Sequence, residues 1–146
     1  MRYDKKKLID ENTVLLYQDE CHFRDSQTVH ATWFAKGKQK KIAVLGKRMT
    51  VSVFGTIDAI TGKLFCAKAD TCNAETFQQF LNDVLKEYEN KHVVLVLDNA
   101  RYHHAKILKS FWRKNNRHLT LLFLPPYSPN LNMIERVWKV MKENVL

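Results

Sequence analysis

Three acidic residues of this sequence have surroundings that would suit metal ligands. Asp19 follows the mostly apolar run TVLLYQ at 13–18, and Asp98 ends the run HVVLVLD at 92–98. Glu135 lies near the C-terminus, at the start of a segment with helical periodicity. Carboxylate oxygens are the ligands that Mg²⁺ and Mn²⁺ prefer. Three converging carboxylates could hold two such ions about 3.5–4 Å apart, an arrangement that activates a nucleophile and stabilises the leaving oxygen of a phosphodiester.

Each carboxylate also has a purely structural interpretation. Asp98 could form a turn or cap a helix, and Asp19 could be a solvated strand end. Asn132 and Glu135 have the spacing of a capping box, while Glu135 and Lys139 have that of an i, i+4 ion pair. A metal site therefore requires that the fold bring the three side chains together.

The elements that would position these residues follow from hydrophobic periodicity. Thr61 and Gly62 mark the turn of a hairpin between two strands, and Asn73 is a candidate N-cap for the first helix. The region 20–48 is polar, basic and aromatic, and is predicted to be a loop that could contain a short strand. We predict strands over 13–18, 49–58, 63–69, 92–98 and 119–124, and helices over 74–89, 103–116 and around 134–141.

This order predicts an α/β fold. An antiparallel start followed by βαβ units implies a mixed five-stranded sheet, an antiparallel hairpin plus parallel strands, with helices on its faces. Ligands of such open sheets collect at the carboxyl ends of parallel strands. Asp19 and Asp98 are both expected at such ends, where they would meet if their strands are neighbours.

Charge points to a polyanionic partner. The chain has 24 Lys and Arg against 15 Asp and Glu, a formal net charge of +9 over 146 residues. Such a balance favours nucleic acid, with an anionic membrane surface as the weaker alternative. No run approaches 18 apolar residues and no signal-peptide pattern follows the basic start, so we expect a soluble, cytoplasmic protein, associated with the nucleoid if the source is prokaryotic.

The cysteine pattern favours reduced thiols. Three cysteines without paired C-x-x-C spacing are not typical of a disulfide framework. A zinc site built from Cys21, His22, Cys66 and Cys72 is conceivable but disfavoured, because structural zinc sites usually show short paired spacings.

Six stretches in order resemble one known family. They are QDECHF at 18–23, TWFAKGKQ at 32–39, VSVFGTIDAITGKL at 51–64, CNAETFQQFL at 72–81, VLVLDNARYHHA at 94–105 and LPPYSPNLNMIERVWKVMK at 124–142. Together they resemble the catalytic domain of DDE transposases, in the insertion-sequence-630 branch of the mariner superfamily. Met133 stands where that family usually has proline, at the first helical position.

The resemblance implies a ribonuclease H-like fold with Asp19, Asp98 and Glu135 as the catalytic, metal-binding triad. It implies two Mg²⁺ or Mn²⁺ ions per site, DNA ends and target DNA as substrates, and a homodimer in the functional complex. The chemistry would be metal-assisted hydrolysis of DNA followed by strand transfer from 3′ hydroxyls. By the same comparison, residues 1–12 are a basic lead-in, 13–146 the catalytic domain, and DNA-reading helix-turn-helix modules are absent.

Further residues are candidates for supporting roles. Asn99, His103 and Asn132 are expected near the metals' outer shell or a DNA phosphate, although His103 could instead pack at a helix start and Asn132 could be a helix cap; His104 is a weaker candidate. Basic and aromatic residues are candidate DNA contacts, although charge runs are usually solvated faces. They are Trp33, Lys36, Lys38, Lys40, Lys41, Lys106, Lys109 and Arg113, with Arg117 beside the last three.

Two other functions remain open from the sequence. A truncated or inactive transposase remnant would keep the fold and bind DNA without catalysis. A ribonuclease H-like nuclease would act on hybrid or branched substrates.

Overall fold

The computed structural model describes residues 10–24 and 49–145. The predictions for the basic loop, with Trp33, Lys36, Lys38, Lys40 and Lys41, and for residues 1–9 lie outside these ranges. The described strands are β1 (Thr13–Arg24), β2 (Thr50–Asp58), β3 (Leu64–Ala69), β4 (His92–Leu97) and β5 (Leu119–Phe123). The helices are α1 (Ala74–Glu87), α2 (Lys106–Asn115) and α3 (Ile134–Val145), and short 3₁₀ turns at Arg101–His104 and Pro129–Leu131 precede α2 and α3.

The five strands form one mixed sheet in the order β3-β2-β1-β4-β5. β1, β2 and β3 pair antiparallel, whereas β4 is parallel to both β1 and β5. This confirms the predicted sheet, including the hairpin, whose turn contains Gly62 at φ 72°. β1 and β4 are neighbours, which is the condition that the sequence set for Asp19 and Asp98 to meet.

Helices cover both faces of the sheet. On one face, α1 and α2 pack on β1 and β4 around a large apolar cluster that includes Leu16, Phe77, Leu95 and Leu108. Alternation along β1 sends Cys21 to the other face, where it packs with Ile134 and Trp138 of α3. α3 is thereby fixed against β1 and β2, which places its N-terminus near Asp19.

Local capping agrees with the sequence at α1 and differs at α3. Asn73 caps α1 as predicted, because its side chain accepts a hydrogen bond of 2.9 Å from the Thr76 amide. α3 begins at Ile134, so Met133 precedes the helix and Glu135 is its second residue. α2 is shorter than predicted because the chain first makes the 3₁₀ turn Arg101–His104. None of the helices within 10–24 and 49–145 is long and apolar enough to cross a membrane.

Candidate active site

Asp19, Asp98 and Glu135 line one cavity of about 400 Å³. The cavity lies just beyond the last paired residues of the central strands β1 and β4, and the loop 124–129 forms another of its walls. A second, more open cavity of about 700 Å³ continues from Asp19 and Glu135 along α3. Three elements distant in sequence, β1, the end of β4 and the start of α3, therefore bring the predicted carboxylates together.

Asp19 lies inside a strand, which corrects one prediction. β1 was expected to end at residue 18, with a loop from 20 onward, but the strand continues to Arg24. The parallel pairing with β4 stops at Tyr17 and Val96, while the antiparallel pairing with β2 continues to Arg24 and Thr50. Asp19 thus lies just beyond the point where β1 and β4 separate, and the separation opens the cavity.

Trp138 and Gly55 hold the Asp19 side chain in place. The indole Nε1–H of Trp138 donates a hydrogen bond of 3.1 Å to Asp19 Oδ2. Gly55 is the cross-strand partner of Asp19, and a Cβ on it would lie 2.5 Å from the Trp138 ring. Glycine therefore makes room for the indole beside Asp19. Helical periodicity with Ile134 places Trp138 on the inward face of α3 but does not indicate a contact with Asp19. Gly55 carries no signal that local periodicity could detect.

The Asp19 carboxylate is destabilised by its surroundings. Burial, and to a smaller extent the charges of Asp98 and Glu135, raise its pKa to about 6, against the lowering effect of hydrogen bonds from the Glu20 backbone and Trp138. Asp98 and Glu135 are thus both close enough to act electrostatically on Asp19. A bound cation would relieve both the desolvation and the repulsion.

This pKa predicts a pH-dependent stability for the metal-free protein. The folded-state pKa lies above the unfolded value of 3.8, so the cost of ionising Asp19 is fully present above about pH 6 and fades as the pH falls toward 4. In excess chelator, Asp19→Asn should exceed the wild type in unfolding free energy by about 1–3 kcal/mol near pH 8, with a smaller gap near pH 5. Urea unfolding at both pH values measures this, and an unchanged gap would contradict it.

Asp98 is held by the turn that follows β4. Its Oδ1 accepts a hydrogen bond of 3.1 Å from the Ala100 amide, and His103 Nδ1 lies 3.2 Å from the same oxygen and 3.0 Å from the Asp98 carbonyl oxygen. The hydrogen bond from His103 is the main reason that the pKa of Asp98 is lowered. A carbonyl oxygen can only accept, so His103 carries a proton on Nδ1.

His103 packs at the helix start and also contacts Asp98, while its predicted role near a metal or a DNA phosphate remains a prediction. It is only 2% exposed and packs against the Phe77 ring with centroids 4.6 Å apart, while it also contacts Asp98. His104, in contrast, is exposed and stacks on Phe123. His103, rather than His104, therefore supports a carboxylate of the site, that of Asp98.

Two asparagines tie the walls of the cavity together. Asn132 is buried, and its Nδ2 donates a hydrogen bond of 3.0 Å to the carbonyl oxygen of Gln18, next to Asp19. Asn99 Nδ2 donates one of 2.8 Å to the carbonyl oxygen of Leu124, which joins the ends of β4 and β5. Both residues line the cavity with the carboxylates. Their predicted metal or phosphate roles remain predictions.

Glu135 forms neither of the two structural contacts that its sequence suggested, the capping box with Asn132 and the ion pair with Lys139, in the described part of the chain. Asn132 Oδ1 accepts from the Ile134 amide at 3.4 Å, and no hydrogen bond from Asn132 N to the Glu135 side chain occurs in the described part of the chain. Across the same ranges, no ion pair joins Glu135 to Lys139. Glu135 is exposed and faces both cavities, so its carboxylate is available for a ligand.

Three basic residues that the sequence did not mark as DNA contacts line the larger cavity. Lys139 and Lys142 follow Glu135 at i+4 and i+7 on α3, and Arg24 ends β1. The sequence had paired Lys139 with Glu135 only as an ion pair, and the same helical spacing would have added Lys142. The predicted DNA contacts Lys106, Lys109 and Arg113 are exposed on α2, and the two carboxylate-lined cavities do not include them. They remain predictions.

The cysteines do not form the conceivable zinc set. Cys21 is buried under α3, whereas His22, the next residue of β1, projects to the opposite face; Cys66 is exposed on β3. The three thiols are free of disulfides in the described chain. Burial, together with the nearby Glu20 carboxylate, raises the pKa of the Cys72 thiol to about 11.

The indole donor to Asp19 predicts a measurable defect in Trp138→Phe. Phenylalanine keeps most of the apolar contact but cannot donate, so Asp19 loses its orienting hydrogen bond. Apparent Mg²⁺ affinity should fall about tenfold to a hundredfold, as for other partners of metal ligands. Trp112→Phe is the matched control, because Trp112 lies on α2, on the face of the sheet opposite α3. Equal Mg²⁺ titrations of thermal stability for both variants would contradict this role.

Comparison with known proteins agrees with this architecture. Residues 14–146 match the family described as DDE superfamily endonuclease. The chain is 26% identical over 143 residues to an insertion element IS630 uncharacterized 39 kDa protein of Shigella sonnei, covering 95% of this chain and 41% of that protein. It is 34% identical over 99 residues to the uncharacterized protein y4pE/y4sA of Sinorhizobium fredii, covering 67% of this chain and 70% of that one.

Solved structures with the same fold include a Mos1 transposase paired-end complex with the left transposon end. It superposes with a TM-score of 0.63 at 18% identity, over 88% of this chain and 41% of that one. The HTLV-2 integrase catalytic core domain in complex with magnesium gives a TM-score of 0.54 at 12% identity, over 88% of this chain and 66% of that one. These likenesses confirm the predicted ribonuclease H-like fold. The chain spans about two fifths of the Shigella relative and of the Mos1 chain.

The order of elements, the sheet and the matched residues agree on one assignment. The predicted resemblance to the insertion-sequence-630 and mariner transposases is confirmed, and the chain belongs to the DDE superfamily endonuclease family.

Proposed function

We propose that this chain is the catalytic domain of a DNA transposase that cuts DNA strands and joins them to a target with the help of divalent metal ions. The observation that carries the proposal is that Asp19 of β1, Asp98 at the end of β4 and Glu135 of α3 line the same cavity of about 400 Å³. The family of endonucleases to which the chain belongs supports the reaction class.

The donor set fits hard divalent ions. Asp19, Asp98 and Glu135 offer only oxygen atoms, as Mg²⁺ and Mn²⁺ prefer, and burial raises the pKa of Asp19 in a way that a cation would reverse. Related structures support such ions, since one Mos1 complex is described with Mn and the HTLV-2 core with magnesium. We propose two ions, which would activate the attacking oxygen and neutralise charge on the phosphate.

The remaining residues would orient the ligands and the DNA. Trp138 fixes the direction of the Asp19 carboxylate, and His103 does the same for Asp98. Lys139, Lys142 and Arg24 line the cavity that continues from the carboxylates, where they would contact the DNA backbone. In such a site catalysis consists mainly of positioning and charge stabilisation.

DNA and a second copy of the protein are the proposed partners. The Mos1 structures are transposon-end and strand-transfer complexes, and the net charge of +9 suits a polyanion. Joining two element ends to one target requires that both be held together, so we propose a homodimer in the working complex. The HTLV-2 core is described in a dimeric form.

A cleavage assay tests the proposal. Labelled duplex DNA carrying the inverted repeats of the element is incubated with the protein in Mg²⁺, Mn²⁺, Ca²⁺ or chelator. We expect products with 3′ hydroxyls in Mg²⁺ and Mn²⁺, DNA binding without cleavage in Ca²⁺, and no product in chelator. Glu135→Gln should give no product in any condition.

The alternatives give different outcomes in the same assay. Binding of DNA without products in every metal would favour an inactive remnant. Cleavage of an RNA–DNA hybrid as efficiently as of duplex DNA would favour a ribonuclease H-like nuclease.

A further inference from the structure

A second group of potential ligands lies beside the carboxylate cavity, on the opposite face of β1. Glu20 and His22 alternate with Asp19 and Cys21 along the strand, so their side chains project away from α3. There they meet Cys72, which precedes the N-cap of α1. One ligand atom from each of Glu20, His22 and Cys72 lies within 4.8 Å of the others.

Neighbouring side chains already orient two of these ligands. Ser52 Oγ lies 2.9 Å from His22 Nδ1, which leaves Nε2 directed at Glu20, 3.8 Å from its Oε1. The Tyr102 hydroxyl donates a hydrogen bond of 2.5 Å to Glu20 Oε2. His22 and Glu20 thus each have one atom engaged by a partner and the other directed toward the proposed site. Metal-binding histidines and carboxylates are typically held by such outer partners.

We propose that Glu20, His22 and Cys72 form a zinc site. Thiolate, imidazole and carboxylate are the three ligand types that Zn²⁺ takes, in tetrahedral geometry with water at the fourth position. Zn–N and Zn–O bonds of about 2.0–2.1 Å would put the nitrogen and oxygen ligands roughly 3.3 Å apart. The observed 3.8 Å between His22 Nε2 and Glu20 Oε1 therefore needs a shift of only a few tenths of an ångström.

This site differs in chemistry from the catalytic carboxylates. A thiolate selects a softer metal than Mg²⁺, whereas the Asp19, Asp98 and Glu135 set contains only hard oxygen donors. The side chains of Glu20 and His22 alternate with that of Asp19 along β1, although all three residues line the open cavity of about 700 Å³, so the two sets are neighbours that use different residues. Zinc binding and catalytic metal binding can therefore be separated by mutation.

The structural consequence of the zinc site is a link between two elements. The N-terminus of α1 would be tied to the part of β1 that has left β4 and pairs only with β2. The negative thiolate would also lie near the positive end of the α1 dipole. Such a link would stiffen β1 directly beside Asp19.

Cobalt substitution provides a direct test. Co²⁺ is added to the reduced protein in excess Mg²⁺, which occupies the catalytic carboxylates. We expect one Co²⁺ per chain, a thiolate-to-cobalt charge-transfer band, and visible bands of tetrahedral cobalt that Zn²⁺ removes. Cys72→Ser should abolish the charge-transfer band, whereas Cys66→Ser, which changes an exposed thiol of β3, should retain it.

Thermal unfolding provides the second measurement. Zn²⁺ at about 100 times its dissociation constant should raise Tm on the order of 5–10 °C. His22→Ala should lose this increase, and Asp98→Asn should keep it. No charge-transfer band, a band unchanged in Cys72→Ser, or a zinc-dependent increase in Tm that disappears in Asp98→Asn but survives in His22→Ala would each overturn the proposal.

Discussion

Asp98→Asn is expected to lower metal-dependent DNA cleavage by about 10³-fold or more. The substitution keeps the size of the side chain and one oxygen, but it removes the charge that a divalent ion needs from this position. Metal ions contribute several kcal/mol to stabilisation of the transition state, and each 1.36 kcal/mol corresponds to a factor of ten in rate. Single-turnover cleavage of labelled duplex DNA at saturating protein measures the effect.

The same exchange at a distant carboxylate is the control. Asp83 is exposed on α1, beyond the two cavities that hold the triad, so Asp83→Asn should cleave DNA at the wild-type rate. Circular dichroism should show that both variants fold. Because Asp98 is 55% exposed, Asp98→Asn is not expected to disturb the core. Cleavage by folded Asp98→Asn within a few-fold of wild type would remove Asp98 from the catalytic set.

Gly55→Ala is expected to damage both stability and activity. The new methyl group would lie 2.5 Å and 2.7 Å from two atoms of the Trp138 ring and 3.0 Å from Ile134 Cδ1. Both side chains are buried, so they cannot move without disturbing α3. Overpacking of this kind costs about 1–3 kcal/mol. Displacement of the indole would also break its hydrogen bond to Asp19, so cleavage should fall by about tenfold or more.

Gly62→Ala separates these two effects. Gly62 lies in the hairpin turn at φ 72°, with open space around it, so alanine there strains the backbone without touching α3. Its cost should be about 1–2 kcal/mol in unfolding free energy, with cleavage unchanged below Tm. Urea unfolding and cleavage rates for both variants make the comparison. Wild-type cleavage by Gly55→Ala would show that Trp138 does not control Asp19.

Local patterns were sufficient for most of the secondary structure. The run HVVLVLD at 92–98 predicted a strand, and β4 is that strand, paired between β1 and β5. Asn73 was recognisable as an N-cap because capping depends on residues within one turn. Errors were concentrated at element ends, as at α2, where capping and 3₁₀ turns compete with the regular helix.

The continuation of β1 shows where local patterns were insufficient. The residues ECHFR at 20–24 open a region, 20–48, whose polar and basic composition predicted a loop, but pairing with 50–54 of β2 keeps them extended. That pairing is set by contacts between segments about 30 residues apart, which no local window contains. It also determines that Asp19 lies within a strand and that Glu20 and His22 point toward Cys72.

By itself, the sequence determined the order of strands and helices, the family, and the three acidic residues that the fold would have to gather, because periodicity and short motifs are local properties of the chain. Only the tertiary structure decided how these residues are held. The contact of Trp138 with Asp19 across the space left by Gly55, the support of Asp98 by His103, and the approach of Cys72 to β1 all depend on side-chain packing between distant segments. Packing of that kind is fixed by the whole fold and leaves no periodic signal in the sequence.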